Sequence, residues 1–264
     1  MDTERNTEER RKPSAWMAFV GIGLKLAKSG TAIKAALAGG SYAGWALITN
    51  WQFATVLIAI LIFHEYGHLR AMKSFNIPTK GMYLIPFVGG VAVGERASTY
   101  WAETYISMMG PIYGLIMTLA AWLGYVITGS ELLGLVASYG ALINLFNLLP
   151  IYPLDGGHVI KACALSLGSR FSMVFLMAVS AAGFVLSLWL GLLLLTIFTV
   201  LGAIDLASQR KVLEDEDILP MQPYGITVSM AWYVATIAAF VYIIVSLYEA
   251  GVPGSDVPFI ILTD

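Results

Sequence analysis

Charge is what this sequence has least of: only 12% of its 264 residues are Asp, Glu, Lys or Arg, about half the usual share, while 58% are hydrophobic. That balance excludes an ordinary globule, a disordered chain and a soluble domain with one greasy helix. It reads as a membrane protein. Cysteine is almost missing as well. Cys163 stands alone, so no intramolecular disulfide can form, a disulfide scaffold is excluded, and the residue is expected to serve packing. The net charge is -2 and no long basic tract occurs, which argues against nucleic acid as a partner. Internal repeats and low-complexity linkers are absent too.

What the sequence does have is long apolar runs. The charged residues leave five uncharged stretches, 35–64, 104–130, 132–154, 171–204 and 218–248, each able to hold a membrane helix of about 20 residues. The 34 residues of 171–204 would reach roughly 50 Å as one helix, against a hydrocarbon core of about 30 Å, so two spans divided near Trp189–Gly191 fit better. Asn50 supplies turn chemistry that divides the first run. The expected fold is an all-α polytopic membrane protein of about six or seven transmembrane helices, near 34–49, 52–73, 101–127, 133–150, 171–188, 191–207 and 227–248. Basic residues near span ends gather on the cytoplasmic side. With seven spans, Arg10 to Lys12, Arg70, Lys73, Lys161, Arg170 and Arg210 share one side, while Glu131, Glu249 and Asp256 take the other. Residues 14–34, with Lys25, Lys28 and Lys34 among apolar neighbours, are expected to lie along the interface as an amphipathic helix. The chain then divides into a cytoplasmic tail and interfacial helix (1–34), a membrane core (35–208), an acidic cytoplasmic loop around Glu214–Asp217 (209–226) and an additional C-terminal span with a short tail (227–264).

A charged side chain at a bilayer centre costs about 2.5–3.5 kcal/mol even on lenient scales, so such residues are functional suspects. Two carboxylates stand out, Glu65 in His64-Glu65-Tyr66-Gly67-His68 and Asp155 in Asn147-Leu148-Leu149-Pro150-Ile151-Tyr152-Pro153-Leu154-Asp155-Gly156-Gly157-His158. These two segments hold all three histidines. On a helix, His64 and His68 fall on one face and can share a metal. Glu65, about 100° further round the axis, is placed to take a proton from a water without being a ligand. A catalytic zinc needs three protein ligands. Asp155 is the expected third, brought inward by Pro150, Pro153 and a turn at Gly156-Gly157. His158 is the alternative ligand, and without a metal Asp155 would serve as a helix N-cap over about 157–166. The rival for the whole cluster is an ion relay in a transporter or metal-handling protein.

These residues resemble the site-2 protease family of intramembrane zinc metalloproteases, whose two signatures are the H-E-x-x-H at His64–His68 and the N-x-x-P-x-x-P-L-D-G-G at Asn147–Gly157. Gly110-Pro111-Ile112-Tyr113-Gly114 is similar to the family's G-P-x-x-G, although Met109 stands where a small residue is usual. The resemblance runs over roughly residues 40–208. It implies one Zn2+ per chain held by His64, His68 and Asp155, with Glu65 as general base. Asn147 is implied to lie near the active site, helping to hold the substrate or the oxyanion. It further implies an intramembrane endopeptidase acting on transmembrane or juxtamembrane segments of other membrane proteins, within a lipid bilayer, expected to be the cell membrane, with its site towards the cytoplasm. No stretch is long enough for the PDZ or CBS domain of some members, so a minimal form is expected.

A transmembrane substrate must unwind before its peptide bonds can be reached. Met82–Val93 carries Gly89-Gly90 as a two-residue hairpin signal between β-branched residues. A small re-entrant β-hairpin near the active site is therefore expected, with Val88, Gly89, Gly90 and Val91 receiving the substrate as an added strand. An ordinary interfacial loop is the alternative. Gly110-Pro111 reads as a helix kink, Asn144 and Asn147 as able to bond between helices, and Glu103 as an interfacial residue.

Overall fold

The computed structural model describes residues 30–215, 218–252 and 254–256. The expected tail and most of the interfacial helix lie outside these residues. Within them, eight helices and two strands follow in the order α1 (Gly30–Ile48), α2 (Trp51–Ser74), β1 (Thr79–Ile85), β2 (Gly89–Gly94), α3 (Tyr100–Thr128), α4 (Glu131–Asn147), α5 (Asp155–Leu167), α6 (Ser169–Trp189), α7 (Leu193–Asp215) and α8 (Pro223–Glu249). Helices α2, α3, α8 and the 172–189 part of α6 are long and apolar enough to cross a membrane, while α4 and residues 193–208 of α7 are shorter apolar helices. The protein is an all-α polytopic integral membrane protein with one small hairpin. All seven expected spans are helical, but only four meet that length and composition, and the eighth helix, α5, is the short one anticipated after Asp155.

Local chemistry sets the boundaries. The side chains of Asn50 and Thr99 accept hydrogen bonds from the Phe53 amide at 2.8 Å and the Ala102 amide at 3.0 Å, satisfying donors that a helix start leaves free. Gly191, at φ 65°, turns the chain between α6 and α7 where a break was expected. Helix α7 continues through Asp215, so the acidic stretch begins inside a helix rather than in the loop expected from residue 209.

The hairpin forms, but not about Gly89-Gly90. Strands β1 and β2 pair antiparallel with Ile85 opposite Gly89 and Leu84 opposite Gly90, so both glycines belong to β2. The turn is Pro86-Phe87-Val88, closed by the Val88 amide donating to the Ile85 carbonyl at 3.1 Å, with Phe87 at φ 62°. Proline pre-sets the second position of such a turn and has no N–H to give a ladder, which outweighs the glycine pair.

Helix α3 is central, packed against α2 on one side and α4 on the other, with α5 across it. Helix α8 lies against α4, α3 and α5. Its Phe240, Ile243 and Leu247 are buried in the main core with Met108 of α3, Ala137 and Ala141 of α4 and Val159 of α5. The Tyr233 hydroxyl donates to the Leu148 carbonyl at the end of α4. The last helix, outside the resembled region, is thus part of the core. Cys163 is buried in the same cluster, in the packing role expected of it.

Candidate metal centre

Helix α2 presents His64, Glu65 and His68 on its buried side, with ligand-capable atoms of all three within 4.8 Å of one another. The two Nε2 atoms lie 3.0 Å apart. Asp155, the first residue of α5, brings Oδ2 to 3.0 Å from His64 Nε2 and Oδ1 to 3.3 Å from His68 Nε2. The structure therefore gathers residues 91 positions apart in the chain into one cluster.

The outer ring nitrogens determine what the inner ones can do. His68 Nδ1 lies 2.7 Å from the Ile106 carbonyl, which only accepts, so that nitrogen carries the proton. His64 Nδ1 lies 2.8 Å from Asn144 Oδ1. The Asn144 amide nitrogen already donates to the Gly140 carbonyl at 2.7 Å, which leaves Oδ1 to accept from His64. Rings so held turn both Nε2 atoms toward each other and toward the Asp155 carboxylate. Asp155 Oδ2 is buried, and it faces the His64 ring. Two imidazole nitrogens and a carboxylate converging this closely form a donor set that zinc takes. Zinc bonds of about 2.0–2.1 Å in a tetrahedron separate neighbouring ligand atoms by about 3.3 Å, close to the spacings of 3.0–3.3 Å found here. The residues fit a zinc ion.

Glu65 stands beside the cluster, against β2. A β-carbon on Gly90 would lie 2.6 Å from Glu65 Oε1, and the Ala92 main-chain amide is hydrogen-bonded to the Glu65 carboxylate. Among the four expected substrate-binding residues, Gly90 meets Glu65 directly, whereas Val88 packs with the Ile151–Phe198 cluster.

Two local expectations change. Gly156 and Gly157 are helical and do not use positive φ; a β-carbon on either would run into the backbone of residues 148–152. Their smallness seats α5 on the preceding loop. Leu154, not Asp155, occupies the N-cap, with no side-chain capping bond, so the carboxylate is free to face the histidines. Asn147 is half-buried and donates to the Ile143 carbonyl of its own helix at 3.1 Å; it is Asn144, one turn earlier, that reaches His64.

The glycines of the 110–114 motif have separate tasks beyond any kink. A β-carbon on Gly110 would collide with the His68 ring and lie 2.7 Å from His64 Nε2, and one on Gly114 would collide with the Asn144 amide. Gly67 faces the Met109 carbonyl as closely, so the unusual Met109 leaves the α2–α3 crossing tight: it is its backbone that α2 touches.

Glu103, in the first turn of α3, is turned into the protein. Its Oε1 accepts from His158 Nδ1 at 2.9 Å and from Lys161 Nζ at 2.6 Å, both on α5. His158, the alternative ligand, is turned to Glu103. Burial alone would lower the Lys161 pKa, but the Glu103 carboxylate raises it above its ordinary value. The Tyr152 ring lies under Lys161, with Nζ 4.9 Å from its centre, and its hydroxyl donates to Asp205 Oδ2 at 2.7 Å. Burial raises the Tyr152 pKa to about 12. Sequence reasoning missed Gly110, Gly114, Asn144 and Glu103 as parts of this site. A polar Asn144 in an apolar run was a usable signal; nothing in the chain linked residue 103 to residue 161.

Residues 52–130 match the sequence model of peptidase family M50. The chain is 24% identical over 216 residues to a zinc metalloprotease of Methanocaldococcus jannaschii, covering 71% of this chain and 62% of that protein. It is 32% identical over 107 residues to the stage IV sporulation protein FB of Bacillus subtilis, covering 39% and 37% respectively. A solved structure titled site-2 protease from Methanocaldococcus jannaschii aligns with a TM-score of 0.46 and 19% identity, over 69% of this chain and 86% of that one. Over residues 52–130 the chain is thus similar to peptidase family M50, and the relatives it resembles include proteins named zinc metalloproteases. It spans between 30% and 62% of the length of the curated relatives it matches.

Proposed function

We propose that this protein is a zinc-dependent intramembrane endopeptidase that cuts transmembrane or juxtamembrane segments of membrane proteins, with its site towards the cytoplasmic side. The observation that carries this reading is the convergence of two imidazoles and a buried carboxylate within 3.0–3.3 Å of one another beside Glu65. His64, His68 and Asp155 would hold the metal. When bound there, zinc polarises a carbonyl and makes a water acidic at neutral pH. Glu65, beside the cluster, would serve as the general base that accepts a proton from the attacking water and returns it to the leaving amine.

The hairpin has a part in this reading. Glu65 lies along β2 at Gly90 and Ala92, so a substrate unwound into a strand beside β2 would pass its backbone by the general base. Val88 to Val91 begin that edge. Asn147 helps to hold the substrate or the oxyanion near the site. The sidedness is supported by Arg70 and Lys73, which follow His68 closely on α2. An ion-moving role for the same cluster is not favoured in a family of peptidases.

The test is co-expression with candidate single-span membrane proteins, comparing wild type with Glu65→Gln and weighing the fragments by mass spectrometry. Wild type should yield fragments that Glu65→Gln does not, while the variant still retains zinc by metal analysis. Identical fragment patterns across a broad panel would sink the protease reading, and metal flux dependent on the cluster without fragments would favour the ion-handling one.

A further inference from the structure

Asp155 is the contributor to the metal centre that most needs external support. It is the first residue of a short helix, where helical geometry frays, and that helix starts with no side-chain cap. Its two partner histidines, by contrast, sit mid-helix with their outer nitrogens already engaged. Something must hold α5 at the rotation and height that put its first residue at His64 and His68.

Helix α3 carries the means. Residues 103, 106 and 110 recur at i, i+3 and i+7, and so share one face. On that face the Ile106 carbonyl orients His68, and Gly110 makes room for both imidazoles. Glu103, one turn before Ile106, accepts from His158 at 2.9 Å and from Lys161 at 2.6 Å. These lie roughly 4.5 and 9 Å beyond Asp155 along α5. Two donors at different heights, gripped by one carboxylate, fix both rotation and axial position. Lys161 has only 7% of its side chain exposed, Glu103 only 18%, so the grip is shielded from water and little screened by salt.

We propose that Glu103 is a positioning residue for the metal centre: by holding His158 and Lys161 it indexes α5 against α3 and so carries the Asp155 carboxylate to His64 and His68. One helix then sets both the orientation of a histidine and the placement of the carboxylate that faces it. Tyr152 braces the arrangement from below. Its ring centre lies 4.7 Å from that of His158, and its hydroxyl ties to Asp205 of α7.

The inference rests on the zinc reading of the site, and its test separates the two. Full-length protein in detergent is compared as wild type, Glu103→Ala, Glu103→Gln and the charge swap Glu103→Lys with Lys161→Glu. Zinc affinity is measured by chelator competition, and the absorption spectrum of the Co2+-loaded protein reports the ligand set. Glu103→Ala should bind zinc more weakly by on the order of ten- to a hundred-fold, as supporting groups around metal sites generally do, and its Co2+ spectrum should move toward that of Asp155→Ala. The swap restores the ion pair but leaves His158 without its acceptor, so it should recover part of the affinity, a rescue not expected of a residue that serves folding alone. Should Glu103→Ala fail to fold, Glu103→Gln keeps an acceptor for both donors, and it should show a smaller loss in the same direction. Zinc affinity and Co2+ spectra equal to wild type in the folded Glu103 variants would overturn the inference while leaving the zinc site intact. A wild-type protein that binds no zinc would overturn both.

Discussion

Helices α2 and α6 can each cross a bilayer, yet they are built in opposite ways. Helix α2 is the less apolar of the two and has 44% of its most apolar stretch buried, whereas the more apolar α6 has 28%. In water the order would run the other way, because apolar surface is what leaves the solvent. In lipid, hydrocarbon gains nothing by hiding from hydrocarbon, while a histidine or carboxylate turned outward is costly. Polarity and small size therefore decide what goes inside. Helix α2 buries His64, Glu65, Gly67 and His68, and α6 shows Val174, Phe175, Val185 and Trp189 to its surroundings.

That contrast predicts where substitutions hurt, and the largest effect belongs to the buried polar cluster. Asp155→Ala removes one of three proposed ligands, so purified protein should contain far less than one zinc per chain and show no cleavage; a full zinc complement would show that the ligand set is wrong. Next comes Gly110→Ala. Its new methyl group would press on both imidazoles, and overpacking of this kind costs about 1–3 kcal/mol. Thermal unfolding should fall by several degrees together with zinc content, and an unchanged melting temperature would mean that α2 and α3 can part without cost.

A smaller effect should come from Asn144→Ala. It leaves the ligands in place and frees the His64 ring to turn, which should weaken zinc on the order of ten- to a hundred-fold, readable by chelator competition. Equal affinity would remove Asn144 from the site. The smallest effect is expected on the outer face: Val185→Ala, at a side chain 65% exposed, should alter stability by no more than about 0.5 kcal/mol and leave cleavage untouched. A large loss there would break the comparison and mark that face as an interface.

Much of this molecule is legible without coordinates because its chemistry is so sparse. With few charges and only three histidines, each polar residue in an apolar run stands out. The helices at 51–74, 100–128 and 223–249 fall within a few residues of the spans drawn from hydropathy. Asn50 at the head of α2 and Gly191 between α6 and α7 act as punctuation, as their local preferences require. The turn of the hairpin was misplaced because two local signals competed, Ile85-Pro86 and Gly89-Gly90, and spacing along the chain does not say which of them yields to its surroundings.

By itself the sequence determined the spans and the reach of His64, Glu65 and His68 on one helical face, because helical periodicity is a local property that neighbouring residues share. Only the tertiary structure decided that Asn144 holds His64, that Gly110 and Gly114 are clearances, and that Glu103 grips α5. Those are contacts between helices, set by how far each is turned and slid against the next, and no spacing within a single segment records them.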